Sequence, residues 1–284
     1  STFINIMINI IYAVGLNLIL GVAGQFSLGH AGFIAIGSYS GAILGKMMNG
    51  LPGLFAGMAV GVVISVIVAF LVGLPTLRLK GDYLAIATLG VAEIIRVAVT
   101  NMKITNGAAG ISGVPLTNTW TITYIALVVT TILILNYTFS SAGRATYAVL
   151  QDEIAAESMG VQVTKYKILA FVLGAATASI GGTLSATTLG AVTPSDFTFM
   201  KSIEVLIIVV FGGIGSFTGS FVAAVLLGII NLVLQPFGQL RMIIYAVALI
   251  LIMIFRPGGL LGTWEFKLGD FKFSKKKETK ESAK

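Results

Sequence analysis

Apolar runs of about 20 residues recur along this chain, each long enough as a helix to cross a hydrocarbon layer of roughly 30 Å. Inside a bilayer no water satisfies backbone polar groups, so a spanning segment must be a helix or part of a closed barrel. Barrel strands alternate in polarity, and these runs do not. The fold class that follows is all-α, a polytopic transmembrane helical bundle. Nine segments are read, at about 3–22, 32–48, 54–75, 83–100, 119–139, 168–189, 203–217, 219–235 and 242–256. The charge content agrees: 10% of residues are charged, where a soluble domain is about a quarter charged.

Several chemistries are excluded at once. The chain has no cysteine and a single histidine, His30, so thiol chemistry and a self-contained metal site are both out. No Gly-rich P-loop with its Lys occurs, so no nucleotide is hydrolysed here by that device. No convergent cluster of His, Asp and Ser points to an embedded enzyme. The net charge of +7 is not a nucleic-acid signal. Residues 256–284 hold eight basic and four acidic side chains, and the rest of the excess is scattered over loops. The stretch 265–284 therefore reads as a basic tail beside anionic headgroups, following a permease domain at 1–264. No basic region precedes the first apolar run, so no cleavable leader is read.

Basic residues also set the expected orientation. With the tail inside the cell, alternation places 76–82, 140–167 and 257–284 on the cytoplasmic side. Counting Arg256 with the tail, these hold 13 of the 18 Lys and Arg residues. The polar stretches 101–119 and 191–201 then lie outside. The N-terminus does too, which points to a further helix upstream or one not separated here.

The longest polar interruption before the tail is 142–167, AGRATYAVLQDEIAAESMGVQVTKYK. It carries Arg144, Asp152, Glu153, Glu157, Lys165 and Lys167 between segments with almost no charge. Leu150–Met159 has good helix formers, and Gly160 stands where a helix stop is expected. A short helix in water between two spans follows. Small residues Ala155 and Ala156 and then Gly160 resemble the EAA loop of ABC-importer permeases, which seats a cytoplasmic helix in a groove of an ATPase subunit. Glu153 stands one position before the usual acidic residue, and Ile154 fills that place.

Glycines mark two other breaks. Between the first two segments, Gly21, Gly24, Gly29 and Gly32 accompany Gln25, Ser27 and His30. Later, Gly212, Gly213, Gly215 and Gly219 interrupt an apolar run. In membranes such glycines either let helices approach closely or let backbone unwind beside a pathway. Both readings stand. The echo between residues 24–27 and 215–218 is too short to build a repeat on. Gly174, Ala178 and Gly182 give a face of small residues for tight packing. Glu93 and Arg96, three apart within a segment, share a helix face and can pair. Charge in hydrocarbon is costly, so that face is expected to point into the protein or an aqueous cavity. It serves there as an ion-pair lock or a substrate contact. Asp82 is expected to cap the helix that follows it.

Taken together, GLNLILGVAGQFSLGHAGFIAIGSY at 15–39, GDYLAIATLGVAEIIR at 81–96, NGAAGISGVP at 106–115, EIAAESMGV at 153–161, GGIGSFTG at 212–219 and FRPGGLLG at 255–262 resemble the membrane subunit of LIV-type (branched-chain amino-acid) ABC importers, the M-type more than the H-type. The resemblance implies a vitamin-B12-importer-like bundle of about ten spans in a bacterial inner membrane. It implies as partners a sister H-type permease, two cytoplasmic ATPase subunits that hold ATP–Mg, and an external binding protein. No cofactor and no metal is expected on this chain. Solutes of the resembling family are leucine, isoleucine and valine, with other amino acids, urea or short amides in relatives. An ion-coupled secondary transporter built around Glu93 is the rival reading.

Overall fold

The computed structural model describes residues 2–48, 50–79, 81–234, 247, 250, 258–260 and 262. Ten helices are described: α1 (Thr2–Asn17), α2 (His30–Met48), α3 (Leu51–Thr76), α4 (Asp82–Asn101), α5 (Trp120–Phe139), α6 (Ser141–Gln151), α7 (Glu153–Ser158), α8 (Val163–Leu189), α9 (Phe199–Gly212) and α10 (Phe217–Leu234). A π-helical turn, Leu18–Val22, continues α1.

Eight of the nine apolar segments are helices here; the ninth, 242–256, lies outside the described residues except at 247 and 250, and the tail 265–284 lies outside them altogether. Among the described residues five helices are long and apolar enough to span a bilayer: Thr2–Val22, α3, α4, α5 and α8. The pair α9 and α10, bent by 118° at its break, makes a sixth if counted as one. The segment at 32–48 does not qualify as a span by apolarity. It carries Ser38, Tyr39, Ser40 and Lys46 among its glycines and is buried along most of its length.

The core lies where α8 runs between α1 and α2. Phe33 of α2 meets Phe171 of α8 edge-on, with ring centroids 5.6 Å apart. The small-residue face read from the sequence is the contact face: Gly174, Ala178 and Gly182 are all buried. A Cβ on Gly182 would overlap the Ile34 carbonyl, and one on Gly37 would overlap that of Ser179. Two hydroxyls tie the helices, Ser38 Oγ donating to the Gly182 carbonyl and Thr183 Oγ1 to that of Gly37, each at 2.9 Å. Without a hydrophobic driving force between helices in lipid, close backbone approach and such hydrogen bonds hold the seam.

The two polar stretches expected outside meet at one end of the bundle. Ile111–Ser112 (β1) pairs antiparallel with Ala191–Val192 (β2), and Lys46 Nζ at the end of α2 donates to the Ser112 carbonyl at 3.0 Å. Thr193 and Asp196 form a reciprocal capping box beside this ribbon. α8, 27 residues and about 40 Å long, separates that end from α6 and α7. One local expectation is corrected: Gly81, with φ 57°, is the N-cap of α4, and Asp82 is its first helical residue. There its carboxylate complements the helix dipole rather than capping.

Candidate functional site

The polar stretch after α5 is two helices, where the sequence reading had one over Leu150–Met159. Ser140 caps α6, its Oγ accepting from Gly143 N. At Asp152 the chain leaves helical geometry (φ −156°) and restarts. The Asp152 carboxylate accepts from Ile154 N at 2.8 Å and Ala155 N at 3.1 Å, the bonds of an N-cap. At the far end Val161 N donates to the Ala156 carbonyl and Gly160 N to that of Glu157, which is a Schellman closure. Gly160 has φ +84°, where an L side chain is strained, so the predicted helix stop is required by conformation.

The result is a short capped helix with apolar groups turned outward. Ile154 is 76% and Met159 85% exposed, and Ala155 and Glu157 are exposed between them. Ala156 faces inward and is buried. Arg144 is exposed on α6, with Nη1 donating to the Phe139 carbonyl at 3.0 Å. Glu153 pairs with Lys167, a mostly buried side chain at the start of α8, which ties α7 to that long helix. Glu157 and Gly160 stand at the mouth of a groove of about 1,090 Å³ between α3 and α8, walled by Ile67, Phe70, Ile168 and Val172.

The first glycine-rich break lies directly against this assembly. A Cβ on Gly24 would stand 2.5 Å from Leu150 Cδ1. Gln25 is buried, and its Nε2 donates to the Lys167 carbonyl at 3.0 Å. A cavity of about 280 Å³ lies between Ala23–Gly24 and Val149–Ile154. Ser27 and Gly29 face elsewhere. Ser27 Oγ accepts from Gly29 N at 3.3 Å, and Gly29 sits on the Thr88 carbonyl of α4. Thr88 Oγ1 accepts from Leu28 N, and Ser202 Oγ of α9 from Ala31 N, so the start of α2 is held by hydroxyls from two other helices.

The second break joins the first. Gly212 ends α9 against the backbone of Gly219 in α10. Gly213 has φ +118° and Gly215 φ +89°. Gly21 lies against the backbone of Gly215. Here sits a residue the sequence reading did not single out. Asn17, fully buried at the end of α1, accepts from Gly215 N at 2.9 Å. Its Nδ2 donates to the Ser216 carbonyl at 2.8 Å and to Ser220 Oγ at 2.9 Å. An amide inside an apolar run was the available signal; its partners, some 200 residues away, were not.

Glu93 and Arg96 are not part of this assembly. They pair as expected, with Arg96 Nε 3.0 Å from both Glu93 carboxylate oxygens. Their side chains are 47% and 28% exposed, so within this chain the pair is not enclosed, and of the two surroundings expected for it, protein interior or aqueous cavity, this chain alone does not supply the first. The buried face of α4 carries Leu84, Ala85, Thr88, Ala92 and Val99 instead. Among the described residues no group of acidic and histidine side chains is arranged to hold a metal.

The family model described as branched-chain amino acid transport system, permease component, matches residues 1–255. The chain is 37% identical to the high-affinity branched-chain amino acid transport system permease protein LivM of Salmonella typhimurium, over 90% of this chain and 68% of that protein. It is 36% identical to LivM of Escherichia coli K12 with the same coverage. It is also 25% identical to the permease protein LivH of Escherichia coli K12, over 88% of this chain and 90% of that protein. No solved structure matches it.

Proposed function

The chain belongs to the branched-chain amino-acid transport permease family, and on that premise we propose that it is the membrane subunit of an ATP-driven importer, coupled to its ATPase through α6 and α7. The observation that carries this reading is the build of α7. A six-residue helix has no stability of its own, yet here it is capped at both ends and tied to α8. It holds Ile154, Ala155 and Met159 out to solvent at the end of the bundle opposite the β1–β2 ribbon. Exposed apolar side chains on a fixed polar element mark a protein contact.

In this reading ATP and Mg²⁺ are held by two separate ATPase subunits, and no nucleotide chemistry falls to this chain. ATPase closure pushes on α7, and α6 and the Lys167 end of α8 pass the push to the break at 21–25. The helices then rearrange so that a solute taken at one face leaves at the other. Gly24, Gln25, Ser27, Gly29, Gly212, Gly213 and Gly215 serve as hinges of that movement. Similarity to both LivM and LivH supports a paired sister permease, and Glu93 with Arg96 on the outer side of α4 suits a surface that another permease chain or an aqueous pathway covers. The β1–β2 ribbon faces an external binding protein, and the tail lies in the cytoplasm of a bacterial cell. The full arrangement follows the vitamin-B12-importer pattern of about ten spans. The solute is a branched-chain or similar small amino acid; the relatives above carry that name, and nothing in them favours urea or amides.

The test is to tag the chain, extract it gently and identify what accompanies it, then to measure uptake. A sister permease and ATPase chains are expected. In the reconstituted complex Ala155→Arg and Gly160→Trp should abolish ATP-driven uptake while the chain still reaches the membrane. Uptake that survives both changes removes α7 as the coupling element. A lone chain that transports without ATP restores the ion-coupled alternative.

A further inference from the structure

We propose that Asn17 is a latch between the end of α1 and the break that separates α9 from α10, and that solute movement requires the coupling helices to release it. This rests on the ATP-coupled reading above and names the residue through which the push is converted into rearrangement.

The chemistry of the site is specific. One primary amide offers one acceptor and two donors, and Asn17 uses all three on the opposite break: Gly215 N–H, the Ser216 carbonyl and the Ser220 hydroxyl. The site is dry, since Asn17, Ser216 and Ser220 are each fully buried. Polar groups parted in such a place must find new partners together or not at all, which makes the contact two-state rather than graded.

The backbone on both sides is built to move. Immediately after Asn17 the α-helix widens into the π-helical turn Leu18–Val22, with Ala23 N donating to the Leu18 carbonyl at 3.1 Å. Such insertions concentrate at functional places in helices. Opposite, Gly215 interrupts α9 and α10 in a left-handed conformation.

The coupling helix reaches both breaks. Leu150 of α6 stands on Gly24 of the first, and the Tyr147 hydroxyl lies 4.0 Å from where a Cβ of Gly215 would be, in the second. One turn of α6 thus lies beside both breaks. A displacement of α6 bears on both segments, and the amide decides whether they part. A residue that only filled the core would need none of this: α1 and α8 already pack through Gly15 and Gly174.

The experiment is ATP hydrolysis and solute uptake measured together in liposomes holding the complete transporter, with wild type, Asn17→Ala, Asn17→Asp and Ser220→Ala. Loss of the latch should raise hydrolysis in the absence of solute. It should lower solute moved per ATP by about fivefold or more for Asn17→Ala, the low end of ordinary coupling energies. Asn17→Asp keeps the acceptor for Gly215 N but sets an oxygen against the Ser216 carbonyl, so it too should uncouple. Ser220→Ala, which removes one of the three bonds, should fall between. A purely structural Asn17 would lower yield and leave solute per ATP unchanged in the molecules that assemble, and that result overturns the proposal. If neither Asn17 variant assembles, an unchanged ratio in Ser220→Ala overturns it equally. Failure of the wild type to show ATP-driven uptake would instead sink the coupled reading itself.

Discussion

Along the α2–α8 seam, glycines sit inside regular helices and let two backbones touch; at the break between α9 and α10, Gly213 and Gly215 stand outside helical geometry and let the backbone turn. Gly37 and Gly182 belong to the first kind, each against a carbonyl of the other helix. Gly213 and Gly215 belong to the second, both with positive φ, and Gly215 N donates to the Asn17 amide at the end of α1. The seam is held by close backbone contacts spread along both helices and by two hydroxyl hydrogen bonds. The junction is held by a few directional bonds, whose exchange is the rearrangement proposed above. A transporter needs both: a body that transmits force and a place that yields.

The largest effect should come from filling the seam. Gly37→Val drives side-chain carbons into the Ser179 backbone, and overpacking of this kind costs about 3 kcal/mol or more where backbone must shift. We expect loss of monodisperse protein in detergent; a well-folded Gly37→Val would mean the seam is looser than drawn. An intermediate effect is expected at the junction. Gly215→Ala meets nothing closer than the Gly21 carbonyl at 3.5 Å but strains a φ of +89°, at about 1–2 kcal/mol. The chain should fold, and uptake by the complex should fall. If Gly215→Ala destroyed folding as Gly37→Val does, the two regions would not differ in kind. The smallest effect is expected outside both. Glu93→Gln opens an ion pair that this chain does not enclose, so folded yield of the chain alone should stay at the wild-type level. A collapse in yield would mean that the pair holds the fold of this chain after all.

Much of this architecture was legible because its signals are local. Apolar runs gave the helices, Gly174, Ala178 and Gly182 gave the face of α8, and Gly160 gave the end of α7. Misreadings came where two local signals competed. Good helix formers over Leu150–Met159 concealed Asp152, whose carboxylate caps its own neighbours and so restarts the helix. The i,i+3 spacing of Glu93 and Arg96 gave their pairing but not the direction they face, since that depends on how α4 rolls against α2. Contacts between distant segments were not legible at all. The β1–β2 pairing is two residues a side, and nothing near Asn17 in the chain tells of Ser216 or Ser220.

If the junction yields while the seam stays closed, hydrogen exchange of the complete transporter will distinguish the two regions. Amide exchange would be followed with and without ATP trapped on the ATPase subunits. Residues 18–29 and 213–220 should exchange faster when ATP is bound, with α2 at 34–42 and α8 at 174–187 protected throughout. Equal protection of all four stretches in both states, or exchange that opens the seam as readily as the junction, would contradict it.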